Sequence, residues 1–239
     1  MSLDQTLTVE RPSAAAPRDW ESVARLLDST LLKPDTTRAQ IVALCEEAAR
    51  YEMATVFVHP SYVALAFDIL RGTSTKVGTP VGFPLGAALT EIKRAEADAA
   101  LRLGARELDM VMNIGALKSG ERKLVELDIR GVAEITHPSG ALLKVILETP
   151  LLTLEEKLSA CELSVIAGAD FVKTCTGFAG GDATVDDIHL MRGVVGDRAK
   201  VKAAGGIRTF TDVLRMLDAG ADRIGTSSAA PILHGLGAP

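Results

Sequence analysis

Two lysines stand near the ends of short apolar runs, in Ala169-Asp170-Phe171-Val172-Lys173-Thr174-Cys175-Thr176-Gly177-Phe178 and Lys200-Val201-Lys202-Ala203-Ala204-Gly205-Gly206-Ile207-Arg208-Thr209. Side chains alternate faces along a strand, so Lys173 shares a face with Phe171 while Val172 and Thr174 point the other way. Lysine is almost never fully buried unless it is paired. On neighbouring strands, about 4.8 Å apart, the two ammonium groups come within roughly 5 Å. At an effective dielectric of about 20 that proximity costs roughly 3 kcal/mol, about two pKa units, and burial pushes the same way. One of the pair is then an amine near neutral pH, and a neutral amine adds to carbonyls, which opens Schiff-base chemistry. The competing reading is two strand-end lysines snorkelling into solvent. The rest of the chain decides between them.

Placing both lysines at strand ends requires a sheet, and from Asp19 onward strand-like and helix-like segments alternate. The candidate strands are Leu26–Leu31, Ala54–Val58, Lys76–Gly82, Glu107–Met112, Leu142–Glu148, Phe171–Thr174, Lys200–Ala203 and Arg223–Gly225. Between them run amphipathic segments, Thr37–Tyr51, Thr90–Leu103, Glu121–His137, Thr153–Ala167, Thr184–Val195 and Thr209–Ala219. Several open on a threonine able to cap the helix with acidic residues close behind, as in Thr90-Glu91 and Thr153-Leu154-Glu155-Glu156. Gly104, Gly168 and Gly220, each in a Gly-Ala junction, fit helix C-caps that close short connections to the next strand. Such alternation implies a parallel sheet. Eight strands with helical crossovers in about 220 residues fit a (β/α)8 TIM barrel of the α/β class, as one domain over residues 18–239. An open doubly wound sheet is the other arrangement, but no Gly-x-Gly-x-x-Gly opens the first strand–helix turn. Residues 1–17, with Pro12, Pro17 and Ala14-Ala15-Ala16, read as a disordered tail.

In such a barrel the site lies at the C-terminal ends of the strands. Alternation puts Asp28 with Thr30 on the first strand, Asp109 with Val111 and Asn113 on the fourth, and Lys144 with Ile146 and Glu148 on the fifth. Any one of these carboxylates alone fits a structural partner for a lysine. Barrel interiors are normally filled by branched apolar side chains, so two or more carboxylates with two or three lysines are costly there unless they work. The loops after the seventh and eighth strands commonly hold a phosphate. Here they read Gly205-Gly206-Ile207-Arg208 and Gly225-Thr226-Ser227-Ser228, and Thr176 and Gly177 join them as candidate substrate contacts. Glycine lets backbone N–H groups approach an anion, Ser227 and Ser228 add hydroxyls, and a short helix from Ala229 would add positive potential.

Composition excludes other classes. The chain has 239 residues, 47% hydrophobic and 24% charged, with aromatics at only 4%, so Val, Leu, Ile and Ala must build the core. With 31 acidic against 26 basic residues the net charge is −5, and no basic stripe marks a nucleic-acid partner. Cys45, Cys161 and Cys175 are odd in number and widely spaced, which fits reduced thiols in the cytoplasm. No basic n-region with an apolar h-region opens the chain, and no apolar run reaches the roughly 18 residues of a membrane span. His59, His137, His189 and His234 show no metal-ligand spacing, so neither a metal nor another cofactor is expected. The phosphate loops make a small phosphorylated molecule the expected partner, with a homo-oligomer, a dimer, expected as the working form.

Six stretches, in this order, resemble the deoxyribose-phosphate aldolase family, class I (Schiff-base) aldolases with a (β/α)8 fold. They are Leu27-Asp28-Ser29-Thr30-Leu31-Leu32-Lys33-Pro34, Val77-Gly78-Thr79-Pro80-Val81-Gly82-Phe83-Pro84, Glu107-Leu108-Asp109-Met110-Val111-Met112-Asn113, the Lys173 motif, Lys202-Ala203-Ala204-Gly205-Gly206-Ile207-Arg208-Thr209 and Arg223-Ile224-Gly225-Thr226-Ser227-Ser228. The resemblance covers about Leu26 to Ser228. It implies that Lys173 forms the Schiff base, that Lys202 perturbs it, and that Asp109 takes part in proton transfer. Asp28, Thr30 and Lys144 would support them. Four positions depart from the family pattern: Ser29 replaces a usual histidine, Phe57 a common cysteine, and Phe178 a lysine found in some relatives. Some relatives also end in a tyrosine, whereas this chain ends Gly237-Ala238-Pro239. A non-catalytic phosphosugar-binding barrel, or another phosphosugar aldolase or isomerase, would share the phosphate loops without needing both lysines and Asp109.

Overall fold

The computed structural model describes residues 19–239; the expected tail over residues 1–17 lies outside them. In chain order the elements are α1 (Trp20–Ala24), β1 (Leu27–Leu31), α2 (Arg38–Arg50), β2 (Thr55–Val58), α3 (Val63–Ile69), β3 (Lys76–Val81), α4 (Thr90–Arg102), β4 (Glu107–Val111), α5 (Ile114–Lys118), α6 (Arg122–Thr136), β5 (Leu142–Ile146), α7 (Leu154–Ile166), β6 (Phe171–Lys173), α8 (Val185–Val195), β7 (Lys200–Ala204), α9 (Phe210–Asp218), β8 (Arg223–Thr226) and α10 (Ala229–His234). The strands pair in parallel in sequence order and β8 closes on β1. All eight expected strands form, each ending within two residues of its expected bounds.

The two faces of the barrel wall differ in chemistry. Outward residues such as Val56, Val58, Leu108, Met110, Leu143, Val145, Val172, Val201 and Ile224 are fully buried beneath the helices. Their side chains supply the hydrophobic core that holds the layers together. The inward face carries Asp28, Glu107, Asp109, Lys144 and Lys202, all buried as well. Register decides which of them meet: Asp109 stands beside Lys144, Ile146 beside Lys173, and Lys173 beside Lys202.

The αβ junctions form as expected. Gly104, Gly168 and Gly220 have φ of +110°, +96° and +105°. Each donates to the carbonyl three residues back while the following alanine reaches five residues back (Ala105 N–H to Ala100 O, 3.0 Å), a Schellman closure that needs the left-handed region. Threonine caps form at Thr37, Thr153, Thr184 and Thr209. Thr90 is a correction: Leu89 holds the N-cap of α4, and the Thr90 hydroxyl donates to Asp128 of α6 instead (2.9 Å). That carboxylate also takes the buried ammonium of Lys93 (2.5 Å), which donates to Val111 O (3.0 Å), so Thr90 serves a network that ties α4 and α6 to the end of β4. The pattern did not announce α1, α3 or α5, which are seven residues or shorter and too brief for a helical period to register. Among the described residues no helix is long and apolar enough to cross a membrane.

Candidate active site

Seven charged side chains from six strands meet inside the barrel. Asp109 Oδ2 lies 2.8 Å from both Lys173 Nζ and Lys202 Nζ, and its Oδ1 lies 3.1 Å from Lys144 Nζ. Asp28 Oδ2 is 2.5 Å from Lys202 Nζ, an ion pair without hydrogen-bond alignment, and Asp28 Oδ1 accepts from Arg223 (2.7 Å). Glu107 contacts Lys144 and lies 3.4 Å from Arg223. Among these, Lys173 is the lysine nearest the mouth, 6% exposed where Lys144 and Lys202 are 0%. A carbonyl entering from above meets Lys173 first.

The electrostatics follow from this packing. Burial alone would raise the Asp109 carboxyl, but Lys144, Lys173 and Lys202 outweigh it and hold the group well below the usual carboxylate range. Asp28 is likewise held low against burial by Lys202, Lys144 and Arg223. Burial would lower Lys144, yet Asp109, Glu107 and Asp28 hold it above the ordinary lysine value. For Lys202 burial is the largest influence and wins: Asp109 and Asp28 pull its ammonium up, Lys173 and Lys144 push it down, and it settles at about 8. The resemblance casts Lys202 as the neighbour that perturbs Lys173; the lysine held below its ordinary value here is Lys202 itself. The bare repulsion expected between the two lysines is corrected as well, because Asp109 sits between them as a shared acceptor.

The remaining expected residues fall into two groups. Thr30 faces inward with Asp28 but donates to the Asp28 carbonyl (3.0 Å) and touches no lysine. Gly225 belongs to the wall: a Cβ there would stand 3.0 Å from Lys202 Cε, so its small size makes room for the lysine stem. Gly205 and Gly206, with φ of +107° and +73°, turn the loop after β7, and Arg208 beyond them is exposed. The Thr226 hydroxyl donates to Ile207 O (2.7 Å) and accepts from Ser228 N–H (2.9 Å), which ties the β7 and β8 loops together beside the exposed Ser227. The carboxylate of Asp182 packs directly on Gly206. Thr176 donates its N–H to Glu148 (3.1 and 3.2 Å) and accepts from Phe178 N–H (3.0 Å) around the exposed Gly177.

Glu148 was expected on the inward face of the fifth strand. That strand ends at Ile146, and Glu148 turns into the left-handed region (φ +59°) so that its buried carboxylate holds the loop after Lys173. Cys175 is buried, and burial pushes its thiol up to about 11, which leaves it inert as a nucleophile. Sequence reasoning missed Glu107 and Arg223. Glu107 precedes Asp109 by two, and Arg223 precedes Gly225 by two, so the alternation used for the other strands would have found both.

A family model described as DeoC/LacD family aldolase matches residues 22–236. A deoxyribose-phosphate aldolase of Halalkalibacterium halodurans is 54% identical over 215 residues, 90% of this chain and 96% of that protein. One from Thermococcus kodakarensis is also 54% identical, over 89% of this chain and 96% of its own. The solved deoxyribose phosphate aldolase of Aeropyrum pernix, a tetramer, superposes with a TM-score of 0.86 at 33% identity, covering 92% of this chain and 93% of that one.

Proposed function

Because the chain belongs to the DeoC/LacD family of aldolases, we propose that it cleaves 2-deoxy-D-ribose 5-phosphate into D-glyceraldehyde 3-phosphate and acetaldehyde through a Schiff base on Lys173. The observation that carries this reading is the convergence of Lys173 and Lys202 on one Asp109 oxygen, both at 2.8 Å. Lys173 adds to the C1 aldehyde and loses water, giving a protonated imine. Asp109 orients the C3 hydroxyl, and its proton passes to Lys202, whose ammonium lies at about 8 and so can take and return a proton near neutral pH. The C2–C3 electrons flow into the iminium, glyceraldehyde 3-phosphate leaves, the enamine is protonated at C2, and hydrolysis releases acetaldehyde. Since the iminium is the electron sink, EDTA leaves turnover unchanged; a loss with EDTA counts against the mechanism. The loops at Thr176-Gly177, Gly205-Gly206-Ile207-Arg208 and Ser227-Ser228 take the phosphate, supported by their glycine turns and exposed donors.

Acetaldehyde with borohydride tests the reading: the adduct forms on Lys173 and not on Lys202 or Lys144. Mapping it to Lys202 reverses the assignment, and no adduct removes the Schiff base. The same reading carries a homodimer, which exposed Leu85, Leu89, Ile92, Leu124 and Leu127 favour and sedimentation tests. It also carries a cytoplasmic setting, in keeping with three unpaired, buried cysteines.

A further inference from the structure

The charges inside the barrel do not balance. Four bases (Lys144, Lys173, Lys202 and Arg223) face three acids (Asp28, Glu107 and Asp109). An excess cation buried among apolar walls is costly unless something accepts it. Two buried aromatic rings stand among these groups: Phe171 of β6 faces Lys144 and Arg223 at 5.7 and 5.8 Å, and Phe57 of β2, itself 1% exposed, is the ring that faces Lys202. Lys202 Nζ lies over it, 3.8 Å from the ring centroid, with Lys144 Nζ at 4.5 Å and Lys173 Nζ at 5.8 Å. The face of an aromatic ring carries partial negative charge and attracts ammonium groups within about 6 Å. The neighbouring strand makes room for it: Cζ, Cε1 and Cε2 all lie 2.5–2.8 Å from where a Gly78 Cβ would stand, so any side chain at 78 would displace the ring.

We propose that Phe57 is a positioning residue of the aldolase site: its π face stands in for the missing fourth anion and fixes the Lys202 ammonium between Asp28 and Asp109. The inference rests on the Schiff-base reading of the same site for its catalytic consequence, and on the geometry alone for its electrostatic one. Lys202 is faced by Asp28 from β1, Asp109 from β4, Lys144 from β5 and Lys173 from β6, with Glu107 and Arg223 one contact further out. Lys144 and Lys173 face the same ring, so the change is read on the Lys202 resonance itself.

Phe57→Leu keeps an apolar side chain of similar bulk and removes the π face. The Lys202 ammonium then loses an attraction while its burial stays, and its ionisation moves down from about 8 by about one pH unit. The midpoint is read by NMR titration of 13Cε-lysine, with the Lys202 resonance assigned by its absence in Lys202→Met. In steady state, kcat falls by about 10- to 100-fold while KM stays within about threefold, because a mispositioned acid–base group affects the chemical step rather than binding. Packing alone would not move the midpoint this way. As a second arm, ring-fluorinated phenylalanines at position 57 keep the shape and withdraw π density in steps, so the midpoint falls stepwise with fluorine number; this arm decides alone if the leucine variant does not fold. A midpoint that stays within 0.3 unit (about the resolution of such a titration) or moves up overturns the proposal. Borohydride trapping of the wild type separates the two readings: an adduct with an unmoved midpoint refutes Phe57 only, whereas no adduct refutes the aldolase site and leaves the midpoint to decide the ring's role.

Discussion

Asp109→Asn removes one charge and almost no volume from the centre of the cluster. Lys202 Nζ lies 2.8 Å from the lost oxygen. At an effective dielectric of about 20 that attraction is about 6 kcal/mol, a ceiling of about four pKa units. Lys173 and Lys144 share the same carboxylate, and water entering the weakened cluster raises the dielectric. We therefore expect about half the ceiling, a fall of about two units from a wild-type value of about 8. Lys202 is then an amine throughout the neutral range and can no longer return a proton. General acid–base loss costs about 10²- to 10⁴-fold, so kcat for deoxyribose 5-phosphate falls within that range. The protein also loses about 3–5 kcal/mol of stability, as a buried ion cluster does when one partner goes. The assays are a lysine-resolved NMR titration, steady-state kinetics and chemical denaturation on one preparation. A Lys202 midpoint still at about 8, or a kcat within tenfold of wild type, would falsify the shared-acceptor account.

The remaining predictions concern pH, the loop and the phosphate. Asp28 and Asp109 are held below their ordinary values, so their contribution to stability is full above about pH 4–5 and disappears as pH falls through the folded values. Lys202, pulled down to about 8, costs stability below that pH, and the cost is relieved as pH rises toward about 10.5. Asp28→Asn should accordingly flatten the acid limb of a denaturation series, and an unchanged limb counts against the pairing with Arg223 and Lys202. Glu148→Ala frees the Thr176 N–H and should raise KM by about tenfold or more, the worth of a hydrogen bond to a charged group, with the Lys173 adduct still forming. Deoxyribose without its phosphate should be cleaved about 10²- to 10⁴-fold less efficiently, the worth of two charge-assisted hydrogen bonds. Asp182→Ala should widen that gap by taking a carboxylate off Gly206, and equal handling of both sugars would mean these loops hold no phosphate.

Strand order, the pairing of Lys173 with Lys202 and the inward placement of Asp28, Asp109 and Lys144 were legible because they depend on local rules. Gly104, Gly168 and Gly220 mark helix ends, and alternation by two assigns a face to Asp28, Asp109 and Lys144. Sequence distance hid the rest. Arg223 and Asp28 are 195 residues apart and meet only because β8 closes on β1. The short α3 and α5 lack a readable period, and Glu148 left its strand face because a positive φ turned it toward Thr176. Gly78 gives the sharpest case: glycine in a strand signals close approach, but the approaching group, Phe57, is named only by the register of β2 and β3.

The same register explains how one barrel tolerates so much charge. A strand pair sets its side chains within about 5 Å on each face, so inward acids and bases on adjacent strands are paired by the backbone before any side chain adapts. Asp109 beside Lys144 on β5 is such a pair. Lys202 is different: its acids come from β1 and β4, across the barrel, and its neighbour Lys173 carries the same sign. Burial pulls its ammonium down to about 8. Lys144, with carboxylates from β1 and β4 and no basic strand neighbour in register, is held above the ordinary lysine value. The base that can exchange a proton at neutral pH is thus set by topology: of the three lysines, Lys202 alone has a basic residue in register on both sides, Lys173 on β6 and Arg223 on β8.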